Sequence, residues 1–151
     1  MSHVTSSLTV ITDLECLKLA LKKFPSLRWN EGRTNYSWYG SFLDDWSEVE
    51  KTARARGIDP KQYGTSDHVI HLDGCDYEIG VTKRDDGQGY SLVWDTFGSG
   101  KKISKCIGDS AEKLMIEYQS HYIRQFADAN GMMLDQSTDS EGNLVLTLNE
   151  A

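Results

Sequence analysis

The sequence of 151 residues is 38% hydrophobic and 10% aromatic, long enough for one domain with its own core and too apolar for a disordered chain. Sixteen basic against 23 acidic groups leave a net charge of −7, which repels phosphate at long range and makes direct nucleic-acid binding unfavourable. No apolar run approaches the ~20 residues of a membrane span, so no membrane association is expected.

The start, Met1-Ser2-His3-Val4-Thr5, has neither a basic nor a long apolar region of the kind a signal peptide needs, and a cytoplasmic location is expected. The three cysteines, Cys16, Cys75 and Cys106, show no C-x-x-C spacing and read as reduced thiols. Along the chain, Leu8-Thr9-Val10-Ile11 predicts a short strand, and Thr12-Asp13-Leu14-Glu15 a capping box. Leu14, Leu17, Leu21 and Phe24 then form one helical stripe, with Lys18 and Lys22 opposite and Pro25 closing the helix. Ser26 to Asn30 reads as a strand, Glu31 to Asn35 as a turn, and Tyr36-Ser37-Trp38-Tyr39-Gly40 as an aromatic strand.

Residues 41–66 support two readings. Asp45 to Arg56 forms a short helix with Trp46, Val49 and Ala53 inward and Gly57 ending it, or the stretch is an ordered excursion over the sheet. Strands follow at Asp67 to Leu72, Tyr77 to Val81 and Tyr90 to Trp94, the last two joined by the turn chemistry of Arg84 to Gly89. Gly98-Ser99-Gly100-Lys101-Lys102 reads as a loop. A second helix begins near Asp109 or Ser110, with Glu112 completing its cap. Its stripe is Ala111, Leu114, Met115, Tyr118, Tyr122, Phe126 and Ala129, and Gly131 ends it. A hairpin of Met132 to Gln136 with Leu144 to Leu148 closes the chain. The expected class is α+β: one domain, mainly antiparallel sheet, with two principal helices packed on one face.

Few motifs carry chemistry. His68 and His71 stand three apart on a strand and point to opposite faces, so they cannot share a metal ion. The Gly98 to Lys102 run lacks phosphate-loop spacing, and no helix is expected at its lysines. His121 lies between Tyr118 and Tyr122 on a helix and reads as packing or surface. No cofactor and no catalytic constellation is expected. Aromatic density is the unusual feature, and core packing explains it better than base stacking, because the neighbours of these rings are acidic.

Six segments in one order resemble a known family: Met1 to Thr5, the capped helix from Asp13, Trp38-Tyr39-Gly40, Asp67-His68-Val69-Ile70, Tyr77-Glu78-Ile79-Gly80-Val81 and Gly89-Tyr90-Ser91-Leu92-Val93-Trp94-Asp95. This pattern resembles the domain-of-unknown-function family typified by hypothetical chloroplast reading frame 35, and is closer to its bacterial and phage members than to its plastid ones. The resemblance spans almost the whole chain and is weakest over residues 43–66. It implies no assigned catalytic residues, and an AAA-type ATPase as one class of partner.

The leading expectation is a non-enzymatic accessory or adaptor protein, of phage or bacterial origin, acting through a protein-binding surface on an unidentified partner. The candidate binding residues are Tyr36, Trp38, Tyr39, Asp67, His68, Tyr77, Trp94 and Asp95. One alternative is an acidic inhibitor that imitates nucleic acid on a host enzyme, from the −6 balance of residues 41–100; it requires those carboxylates clustered on one face at roughly phosphate spacing. Another is a small-molecule or nucleotide binder with an aromatic pocket. Oligomeric state is open, since exposed sheet edges permit strand pairing between copies.

Overall fold

Period-2 patterning builds the central layer. The computed structural model describes residues 4–7, 9–42, 46–55 and 62–150. Five strands, β1 (Val4–Ser6), β2 (Leu27–Asn30), β3 (His68–Leu72), β4 (Glu78–Lys83) and β5 (Tyr90–Asp95), form an antiparallel sheet in the order β1-β5-β4-β3-β2. The expected strand from Leu8 is not found in that form: Ile11 makes an isolated bridge to Tyr90, the first strand lies earlier at Val4–Ser6, and Leu8 lies outside the described residues.

One face of the sheet presents Leu27, Ile70, Leu72, Ile79, Val81, Leu92 and Trp94 to the helices. Against it pack α1 (Leu14–Leu21), α3 (Gly100–Ile107) and the first half of α4 (Glu112–Ala129), through Leu17, Leu21, Ile103, Ile107, Leu114 and Met115. The N-terminus of α1 is not closed by a Thr12–Glu15 box. Asp13 is the cap, its carboxylate accepting from the amides of Glu15 (2.9 Å) and Cys16 (3.2 Å). The amides of Thr12 and Asp13 donate to the Tyr118 hydroxyl on α4, at 3.0 and 3.2 Å.

A helix does begin at the lysines. Gly100–Ile107 is α3, where a loop was expected, because Ile103 and Ile107 one turn apart bury on the sheet while Lys101, Lys102 and Lys105 face outward. Gly108 separates it from α4, where the carboxylate of Glu112 accepts from the amides of Asp109 and Ser110. The apolar stripe of α4 is only half buried: Tyr122, Phe126 and Ala129 are exposed. Beyond it, β6 (Met132–Thr138) and β7 (Leu144–Glu150) pair as a separate two-stranded sheet against α4.

The other face of the main sheet is covered by the segment between β2 and β3. Its two legs meet at the Asn35–Thr65 bridge and the Tyr36 amide donates to Gly64 (2.9 Å). Tyr36 and Trp38 bury on Val69 and Val93 as a second, smaller core. Tyr36 to Gly40 is therefore no strand. The inward alternation of Tyr36 and Trp38 is present without a ladder, and the chain tightens into a 3-10 turn at Tyr39–Phe42. Helix α2 (Ser47–Ala55) follows, while Asp45, Arg56 and Gly57 lie outside the described residues.

Gly80 is what lets this second core form, since a Cβ there would collide with the Tyr36 ring. Gly64, at φ +81, likewise makes room for the Trp38 indole. Gly80→Ala is expected to lower stability by about 1–3 kcal/mol, the usual cost of overpacking. Thermal unfolding measures this, and an unchanged midpoint would show that Tyr36 does not rest on the sheet.

Candidate functional site

The ladder between β4 and β5 runs from Lys83–Tyr90 to Gly80–Val93 and stops there. Next along β4, the Glu78 amide donates to the Ser37 carbonyl (2.8 Å), and the Ser37 amide donates back to Glu78 Oε1 (3.0 Å). At the end of β5, Asp95 Oδ2 accepts from the Tyr39 amide (3.2 Å) and Oδ1 from the Phe97 amide (2.9 Å). Both carboxylates are buried. Two acidic side chains at the ends of neighbouring strands thus hold the backbone of Ser37 to Tyr39 onto the sheet.

Glu78 is heavily supported. Arg33 grips it with both terminal nitrogens, and His71 Nδ1 lies 3.1 Å from Oε2, a contact that requires the proton on Nδ1. Burial, the largest single influence, pushes the Glu78 pKa up, but the hydrogen bonds from Arg33 and Ser37 outweigh it and hold the carboxyl below its ordinary value. Among the described residues no buried side-chain nitrogen or oxygen lacks a partner. Glu78 and its neighbours form a closed structural tie.

Above this tie lies an aromatic surface. Tyr39 and Phe42 stand three apart in the 3-10 turn, which places them on one side of it. The Phe42 ring stacks on Tyr77 at a centroid distance of 6.0 Å and is 63% exposed. Tyr39 meets Phe97 edge to face at 6.4 Å, and Phe97 is 39% exposed. Trp46 leans edge-on against buried Trp38 at 5.7 Å. Desolvation raises the Tyr77 pKa, so its hydroxyl stays neutral.

The residues singled out from sequence fall in separate places. Tyr39 lies at this surface, while Asp95 and Tyr77, both buried and the latter part of the main core, support it from below. Tyr36 and Trp38 are core beneath it. Trp94 is core on the opposite face of the sheet and donates to Ser104 Oγ (3.1 Å). Asp67 and His68 sit at the other end of the strands. Asp67 accepts from the Lys83 amide (2.8 Å), and His68 Nδ1 accepts from the Gly32 amide (2.9 Å) beside Trp29. His68 and His71 diverge to opposite faces, as their spacing implies. Phe42, Trp46 and Phe97 were not among the residues chosen. An aromatic placed directly before Gly98-Ser99-Gly100 was the available signal for Phe97.

Among the described residues the acidic side chains of the sheet region form no single cluster. Asp67, Asp85 and Asp86 lie at one end of β4, and Asp73, Asp76, Glu78 and Asp95 at the other. Several are already engaged, Asp73 by Arg28 and Asp86 by Arg84. A groove of about 610 Å³ lies elsewhere, along β1 and α3; the described residues that line it, Val4, Thr5, Thr96, Lys101, Ser104, Lys105 and Asp109, include no aromatic ring. Among the described residues, no group of three metal-ligating side chains converges and no helix is long and apolar enough to cross a membrane. No family model, curated protein or solved structure matches this chain.

Because its folded pKa is depressed, Glu78 contributes stability above the ordinary carboxyl value of 4.5, and that contribution disappears as pH falls through the lower folded value. Wild type is therefore expected to be more stable than Glu78→Gln near neutrality, with the gap closing below pH 4.5. Thermal midpoints across a pH series measure the gap, and a constant difference would mean that the charge on Glu78 is not what holds the tie.

Proposed function

We propose that this protein is a non-enzymatic accessory or adaptor protein that docks a protein partner on the surface of Tyr39, Phe42 and Phe97, which rests on buried Tyr77. The observation that carries the reading is the exposure of Phe42 and Phe97 on a support fixed by the buried Glu78 and Asp95. Exposed aromatic anchors on rigid backbone are what protein interfaces use, since the rings bury large area at little entropic cost. The partner fitted to this surface offers an apolar pocket with basic residues around it, complementary to a chain of net charge −7. An AAA-type ATPase and a host enzyme are the partner classes to probe first. Kinship with the family of hypothetical chloroplast reading frame 35, in its bacterial and phage form, belongs to the same proposal.

The filled packing of Tyr36 and Trp38 argues against an aromatic ligand pocket, and the divided carboxylates against a phosphate mimic. In affinity capture from native lysate, wild type is expected to retain a stoichiometric protein that Phe42→Ala with Phe97→Ala loses, at an unchanged thermal midpoint. Equal capture by both proteins, or turnover of a nucleotide or peptide by purified protein, would overturn the proposal.

A further inference from the structure

The hairpin of β6 and β7 stands apart from the main sheet, with both edges unpaired among the described residues. A two-stranded sheet is marginal on its own, and among the described residues α4 is the element that packs against this one. Leu134, Leu146 and Leu148 face that helix and are half buried. Met133 and Val145 face outward, 60% and 37% exposed. Beside Leu146, a groove of about 410 Å³ is lined by Ile116 and Gln119 of α4 with Gly142 and Asn143.

The edge of β7 is seven residues long, against three for β1 and four for β2, and Glu150 is its only charged side chain. Hydrogen-bond phase decides how it can pair. The Asp139 amide donates to the Asn143 carbonyl (2.9 Å), so by alternation Val145, Thr147 and Asn149 direct their backbone groups to β6. Leu146 and Leu148 direct theirs to the free edge.

The geometry points to a second copy of this chain as the occupant, joined by antiparallel pairing of β7 with β7 about a twofold axis at Thr147. That register sets the free groups of Leu146 against those of Leu148 in the other copy and Thr147 against its own equivalent. It places the second copy's Leu148 on the helix side, next to the groove at Ile116. Both copies of α4 stay on one face of the resulting four-stranded sheet. The contact is isologous and closes. The same operation on β6 would set Asp135 against Asp135, a like-charge pair at the centre of the interface, so charge selects the β7 edge.

Sedimentation equilibrium over a concentration series, with two variants, tests this. Wild type is expected to form a reversible dimer. Thr147→Lys, an exposed change whose ammonium groups would meet at the axis, is expected to weaken the dimer about tenfold or more at an unchanged thermal midpoint. Thr147→Cys brings two thiols together across a non-hydrogen-bonded pair, where Cα atoms approach to about 4.5 Å. Oxidised glutathione is expected to link these copies covalently, and to leave Asp135→Cys and wild type unlinked. A monomer at every concentration overturns the inference and leaves the edge to a strand of a different protein. A dimer that survives Thr147→Lys, or that Thr147→Cys fails to link, overturns it equally.

Discussion

Past Gly80 and Val93 the two central strands no longer bond to each other, and the buried carboxylates of Glu78 and Asp95 bond instead to the backbone that follows β2. The remaining architecture on that face depends on this exchange. Without it, Tyr36 and Trp38 would have no fixed backbone from which to cover Val69 and Val93, and one face of the sheet would meet water. A buried carboxylate is costly unless its hydrogen bonds are made. Here Arg33, His71 and the Ser37 amide share Glu78, while the amides of Tyr39 and Phe97 share Asp95.

The same two tethers place the exposed rings. Asp95 fixes the amides of both Tyr39 and Phe97, so the edge-to-face pair these rings make is set by one side chain below them. Phe42 is carried on the turn that Tyr39 begins, and rests on Tyr77, one residue before Glu78. Structural economy and display are thus coupled, because the groups that close the fold also aim its apolar surface outward.

Much of the scaffold was legible from residue order. The run Asp67 to Leu72 and the alternation of Tyr77 to Val81 identified central strands, and the stripe of Leu14, Leu17 and Leu21 identified α1. Helix α3 was hidden, since Gly98-Ser99-Gly100 carries turn chemistry and only Ile103 and Ile107 are fully buried on its apolar side beyond Gly100. Which side of the sheet a ring occupies was hidden as well. Trp38 and Trp94 read alike in sequence but are separated by the whole sheet, because period-2 parity on one strand says nothing about another until the register is known. From sequence Asp95 reads as a binding residue and Glu78 only as part of a strand, yet both are buried ties. Their role rests on partners 41 and 56 residues away, which no local pattern reveals.

The Tyr118 hydroxyl, which receives the amides of Thr12 and Asp13, has a consequence in time. It lies 106 residues after Thr12, so a growing chain exposes the start of α1 long before the group that satisfies it has been made. At ordinary elongation rates that interval is roughly 5–20 s. Val4–Ser6 waits in the same way for β5. These segments are therefore made well before the groups that secure them, and the start of α1 stays incompletely satisfied until α4 arrives.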